Sequence, residues 1–338
     1  LRRAGMDVIL LDRAQFPRDK ICGGWITPAV FQELEIQPEE YARQHVCQPI
    51  RGFRVGRIGE AARDIAYPEV ISYGIRRCEF DAHLALSAGV RLRTGVALTA
   101  LERVNGEWVV NGEMRTPLVV GAGGHFCPVA RHLGAKSSNE MAVAAQEIEF
   151  ELDAAQAAEL PVRGEMPELY FCDDLRGYGW LFRKQNFLNL GLGRLGGQDL
   201  ARHMAAFIAF LSRAGRLPFP LPARPKGHAY LLYGDSPREC TGDGVILIGD
   251  AAGLAYSQSG EGIRPAVESG LLAAKAILQA GGSNGLGGRR HGVLHEGIHA
   301  ACLFAINVVR GIEVFHLCGK LGFHRRLLWI KFGDPGDA

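Results

Sequence analysis

Four groups of residues in this sequence have types and spacings that could do chemistry. Near the C-terminus, "HGVLHEGIH" contains H-E-x-x-H. On a helix, His295 and His299 would lie one turn apart, with Glu296 as a general base, which is a zinc-protease pattern. A third ligand at a familiar spacing is missing: Cys302 and Ala305 stand where the extended motif asks for glycine and histidine. A packed or solvated helix face without metal is therefore expected. The second group is "GVILIGDAAG", followed by "GEGI". An apolar run ends on Gly249 and Asp250, and Gly260, Glu261, Gly262 and Ile263 open a long Ala/Leu helix. Such a strand–turn–helix sets a carboxylate beside backbone N–H groups at the positive end of a helix. The third group, "RDKICGG", holds two cations, Arg18 and Lys20, then the Cys22 thiol and the pair Gly23 and Gly24. The fourth is Asp12, which closes the apolar run "DVILLD".

These groups need elements to carry them. "LRRAG" reads as the last turn of a helix with Gly5 at its C-cap. "DVILLD" reads as a parallel strand, apolar on both faces and buried. In a dinucleotide-binding βαβ unit, an acid at the end of the second strand accepts hydrogen bonds from the adenosine ribose. It stands about 20 residues after a G-x-G-x-x-G turn. Counting back from Asp12 passes Leu1 before that turn is met, so the chain is expected to be a fragment that lacks the first strand. A central strand buries several large apolar side chains at roughly 1.5–3 kcal/mol each, against roughly 5–15 kcal/mol for a whole domain. Alone, the chain is thus expected to be unstable and to bind cofactor poorly.

The totals narrow the class. A length of 338 residues suffices for two domains, and 47% hydrophobic with 22% charged residues is ordinary for a soluble globular chain. Lys and Arg number 38 against 36 Asp and Glu, so the net charge is +2 and no nucleic-acid partner is expected. The eight cysteines include no C-x-x-C pair and read as reduced thiols. No signal-peptide pattern opens the chain, and no run of about 20 apolar residues could span a membrane, so a cytoplasmic protein is expected. The 44 glycines suggest a nucleotide-binding fold with many tight turns. "AGGSNGLGGRRHG" follows no strand and reads as a linker.

In their order along the chain, the motifs resemble the FAD-dependent oxidoreductases of the geranylgeranyl reductase type, similar in fold to p-hydroxybenzoate hydroxylase. The resemblance runs from Leu1 to about Ala280. "RDKICGG" matches an R-x-K-x-C-G-G segment that in the family passes beside the flavin ring. Cys22 is either a neighbour of the flavin or substrate or a small buried hydrophobe, and Arg18 and Lys20 either face the pyrophosphate or are solvated. "GIRRCEFDAHLA" is similar to the family's R-x-x-F-D-x-x-L helix start, which implies a cofactor contact for Arg77. "LVVGAGGHFCPVARHLG" resembles G-A-D-G-x-x-S-x-V-R through Gly121, Ala122, Gly124 and Val129. Gly123 stands at the family's Asp and Cys127 at its Ser, which puts direct use of NAD(P)H in question. In "GVILIGDAAG" the resemblance implies that Asp250 hydrogen-bonds the ribityl chain. It also implies that the backbone of Gly260, Glu261, Gly262 and Ile263 lies under the ring, stabilising the negative charge of the reduced flavin.

"AVAAQEIEFELD", "ELYFC", "YGWLFRK" and "FLNLGLG" read as strands of a sheet with one buried face. "YGWLFRK" resembles the family's Y-x-W-x-F-P-K, with Arg183 for Pro, which implies that Tyr178, Trp180 and Phe182 border the isoprenoid cavity. "ARHMAAFIAFLSRAG" reads as an amphipathic helix on that sheet. The tail reads as two packed helices. Its end, with Arg325, Arg326 and Lys331 around Leu327, Leu328 and Trp329, suits contact with the inner face of a membrane.

The expected fold is α/β: a Rossmann-like FAD/NAD(P)-binding domain from residues 1–46, 74–140 and 236–282, an inserted β-sheet substrate domain from 47–73 and 141–235, and a helical extension over 283–338. The expected function is reduction of C=C bonds in an isoprenoid or similar apolar small molecule, with FAD as cofactor. The donor is NADPH, NADH or ferredoxin, and no side chain stands out as the proton donor. The alternatives are an FAD-dependent aromatic hydroxylase, a non-catalytic fragment and, from another class, the zinc protease. A flavin halogenase is disfavoured because W-x-W-x-I-P is absent.

Overall fold

In the computed structural model, residues 1–135, 140–234 and 238–281 are described. The apolar segments between residues 142 and 231 build most of a seven-stranded sheet. Its order in space is Lys226–Leu231, Ala142–Glu151, Phe187–Leu195, Gly177–Lys184, Glu168–Phe171, Gly52–Arg57 and Arg63–Ala66. All neighbours are antiparallel except Glu168–Phe171 beside Gly52–Arg57. The register sets Glu147 opposite Gly191 and Gly191 opposite Trp180, so these residues share one face. Gly191 lets the indole lie flat across its strand, because a Cβ there would run into the Trp180 ring.

One face of the sheet packs on the amphipathic helix Leu200–Arg213, whose Met204, Phe207 and Leu211 meet Leu181, Leu188, Leu190 and Leu192. The sequence predicts that the other face is open. Instead, eight of the nine residues of Phe187–Leu195 are buried. Trp25 packs on Phe53 and Phe182 across that second face, and the Cys22–Gly24 turn lies over it. Aromatic strands covered on both sides read the same in sequence as strands covered on one.

The remaining strands form smaller sheets. Ile9–Asp12 pairs in parallel with Arg91–Thr94, and Val119–Gly121 in parallel with Val245–Leu247. Neither Ile9–Asp12 nor Val119–Gly121 has a second partner among the described residues. Ile9–Asp12 is therefore not buried on both faces as its composition predicts, and Leu10 is 36% exposed. Trp25–Ile26, Ser72–Ile75 and Cys47–Ile50 make a third small sheet. Its Ile26 and Ile75 pack on Val30 and Phe31 of the Pro28–Glu33 helix and on Phe80 of the Arg77–Ser87 helix. Val245–Leu247 leads through the Gly249–Ala251 turn to the long helix Ile263–Gly281. Gly5 caps the opening Arg2–Ala4 turn in the left-handed region.

Candidate active site

A cleft of about 2060 Å³ lies between the large sheet and the smaller parallel pairs. Ordinary small-molecule pockets hold roughly 300–1,000 Å³. Every candidate site residue from Asp12 to Ile263 lines this cleft, including Gly121, which closes the Val119–Gly121 strand, Ala122 and Gly124, which follow it, and the aromatics Tyr178, Trp180 and Phe182. His295, Glu296, His299 and the expected C-terminal extension lie outside the described residues.

The first wall is the turn through Cys22–Gly24. Glu147 Oε2 accepts from the Cys22 amide at 3.1 Å, and Asn189 Nδ2 donates to the Cys22 carbonyl at 3.1 Å. Gly24 takes φ +64°, and any Cβ there would meet the Ile75 carbonyl and Lys184. Beneath the turn is a buried polar cluster. Asn189 Nδ2 also donates to Glu147 Oε1 at 2.7 Å, while Asn189 Oδ1 accepts from Trp180 Nε1 at 2.7 Å. Lys184, whose side chain is 1% exposed, pairs with Glu149 at 2.7 Å and donates to the Ile75 carbonyl at 2.9 Å. Burial, and then repulsion from Glu149, push the Glu147 carboxyl up to about 7 against the pull of Lys184 and of its two hydrogen bonds.

The second wall is the turn before Ile263. Tyr178 Oη donates to the Ser259 carbonyl at 2.9 Å. Gly260 takes φ +70°, and a Cβ there would lie 2.5 Å from Tyr230 Oη. A Cβ on Gly262 would lie 2.9 Å from Asp250 Oδ1. Burial pushes Tyr178 up to about 12, with Cys22 and Glu261 adding to it, so the phenol keeps its proton. His228, on the same strand as Tyr230, is pushed down to about 4 by burial and by Lys20, Arg77 and His125, so its ring is neutral.

Asp250 sits between these walls. Gly249, at φ +56°, donates its N–H to Ser269 Oγ at 3.0 Å, and Arg238 donates to the Ala251 carbonyl at 3.0 Å. Arg238 is itself held by both oxygens of Glu140, at 2.6 and 2.8 Å, with the two side chains 1% and 3% exposed. Burial pushes the Asp250 carboxyl up, and Lys20, Arg77, His125 and Arg238 pull it down. Lys20 is pushed down by burial and by Arg77.

At the far end, Asp12 accepts from the Ala14 amide at 2.9 Å and from Arg18 Nε at 3.0 Å. Arg18 bridges on to Asp81, which Arg77 grips with two hydrogen bonds of 2.8 and 3.0 Å. Arg18 and Arg77 are thus balanced by two carboxylates, whereas Lys20, the third cation singled out in the sequence, has no such pairing among the described residues.

Several residues of the site escape sequence reasoning: His228 and Tyr230, which line the cleft, and Glu147, Asn189 and the Arg238–Glu140 pair, which stand behind its lining and hold the turns. In "AQEIEFE" the acids alternate with Ile148 and Phe150 and read as a solvent face. Only the register with Gly191 and Trp180 turns Glu147 inward.

No protein-family model matches the chain. The menaquinone reductase of Mycobacterium tuberculosis is 31% identical over 297 residues, which cover 81% of this chain and 71% of the relative. The chloroplastic geranylgeranyl diphosphate reductase of Oryza sativa subsp. japonica is 30% identical over 312 residues, covering 84% and 64%. The chain belongs to the geranylgeranyl reductase family of FAD-dependent oxidoreductases. A geranylgeranyl bacteriochlorophyll reductase-like protein from Thermoplasma acidophilum shares the fold, with a TM-score of 0.72 at 20% identity over 90% of this chain and 78% of that one. The fold is accordingly the Rossmann-like, p-hydroxybenzoate hydroxylase-like one.

The residues present in this family member fit FAD. Asp250 lines the cleft with a carboxylate that no donor among the described residues hydrogen-bonds, and Lys20 lines it with an ammonium that has no hydrogen-bond acceptor there. Gly124, at φ +74°, leaves open space where a side chain would stand. A hydroxyl-rich chain, a phosphate and a flat ring are what such a donor set accepts.

Proposed function

We propose that the protein reduces carbon–carbon double bonds in the isoprenoid part of an apolar substrate, such as a prenyl diphosphate or a prenylated quinone. The observation that supports this most is that the aromatic face of the sheet and both glycine turns meet in one cleft. Bound FAD would supply the electron pair. Asp250 would hold a ribityl hydroxyl, Lys20 a phosphate and Asp12 the adenosine ribose. The backbone of Gly23, Gly24 and Gly260–Ile263 would face the ring. Trp180 and Phe182 would align the apolar chain and exclude water, and Tyr178 and Tyr230 would line the cleft as neutral phenols. The electron donor would be NADPH, NADH or reduced ferredoxin. Residues 325–331 would suit contact with a lipid surface that delivers the substrate.

The test uses protein expressed from its whole gene. It should purify yellow and be bleached under argon by one of the three donors. Adding geranylgeranyl diphosphate or menaquinone should then restore the oxidised spectrum and yield a product with two more hydrogens on its isoprenoid chain, which a quinone merely reduced to quinol would lack. Oxygen-dependent insertion of an oxygen atom into the substrate would refute the reading.

A further inference from the structure

We propose that Glu147 is the positioning residue for the cofactor-side turn Cys22–Gly24, gripping the turn and the aromatic substrate strand at once. The inference deepens the reading above, whose cleft it uses. Glu147 stands on Ala142–Glu151, 125 residues along the chain from the amide it binds. Its two oxygens do different work: Oε2 accepts from the Cys22 amide, and Oε1 accepts from Asn189 Nδ2.

The position demands an acceptor on both sides. Asn189 keeps its nitrogen toward residue 147, because turning the amide over would take its oxygen away from the buried Trp180 indole N–H and set NH₂ against it. Its amide nitrogen is shared among Glu147, the Cys22 carbonyl and Glu149. A glutamine at 147 would have to turn its own NH₂ toward a donor, either the Cys22 amide or Asn189 Nδ2. One donor would be left unsatisfied in a site where Glu147 is 5% and Asn189 0% exposed. The path Trp180–Asn189–Glu147–Cys22 thus makes the turn move with the strand that bears the indole.

The experiment is amide hydrogen exchange on the full protein as purified, with peptides covering 18–25 and, as an internal control, 256–264. The control turn is held separately by Tyr178. Above the raised Glu147 value of about 7, at about pH 8.5 where the carboxylate is ionised, exchange over 18–25 in Glu147→Gln should quicken roughly tenfold, as expected for one lost hydrogen bond to a charged group, while 256–264 is unchanged. If E147Q does not fold, Glu147→Asp is read the same way, since its shorter arm cannot reach both donors. Unchanged exchange over 18–25, or an equal rise across both turns, would overturn the proposal. The measurement needs neither FAD nor substrate, so its failure would be distinct from failure of the proposed function.

Discussion

Gly260 offers a sharp test of how the second turn is built. The Gly260→Ala change meets two obstacles. Its φ of +70° lies in the left-handed region, where a side chain costs about 1–2 kcal/mol. Its new Cβ would also lie 2.5 Å from Tyr230 Oη and 3.2 Å from Tyr230 Cζ. Overpacking of this kind costs about 1–3 kcal/mol. Together they come to about 3 kcal/mol, or roughly 150-fold in FAD affinity if the turn gives way to relieve the clash. Tyr230→Phe removes the oxygen while leaving the ring, so the double variant should recover the steric share and keep only the backbone share, roughly tenfold weaker than wild type. The assay is a flavin-fluorescence titration of all four proteins, arranged as a double-mutant cycle. Near-normal binding by G260A, or a double variant no better than G260A, would refute the reasoning.

Three further outcomes follow from the site. Asp250→Asn should weaken FAD binding by about 2 kcal/mol, roughly 30-fold, yet leave the thermal transition of the FAD-free protein nearly unmoved, because the carboxylate has no protein hydrogen-bond donor among the described residues. The Glu147 carboxyl, raised from its ordinary 4.5 to about 7, gives stability that is complete below pH 4.5 and is lost as pH rises through about 7. Urea denaturation across that window should show about 3 kcal/mol of decline in the wild type that is absent in E147Q, and parallel curves would contradict this. Arg238→Met breaks a buried ion pair and should cost about 3–5 kcal/mol; Arg238→Met with Glu140→Leu should regain part of it, measured by the same denaturation.

Much of the cleft's lining could be read before any fold was known. The glycine turns and Asp250 were legible because backbone approach and a carboxylate at a strand's end leave a local mark. Tyr178, Trp180 and Phe182 were legible through a motif resemblance. The residues that hold these groups in place were not. Asn189 looks like one polar residue in "FLNLGLG", and Glu147 like half of a solvated face. Their meaning arises from register across three strands and from contact with a turn more than a hundred residues away. Arg18 is similar: its charge leaves both a phosphate contact and solvation open, and its salt bridges to Asp12 and Asp81 carry no local mark. The double covering of the sheet was hidden for the same reason, since the residues that cover it come from distant Trp25 and the Cys22 turn.

The two glycine turns rest on adjoining strands of one sheet, the first through Glu147 and Asn189 and the second through Tyr178 and Tyr230. This limits how the protein can be re-engineered. A chimera that imports the sheet of a relative to change substrate preference would also replace the supports on which the two glycine turns are seated. Grafts should succeed only when positions 147, 178, 189 and 230 travel with their matching loops, and recombination at domain borders alone should give colourless hybrids.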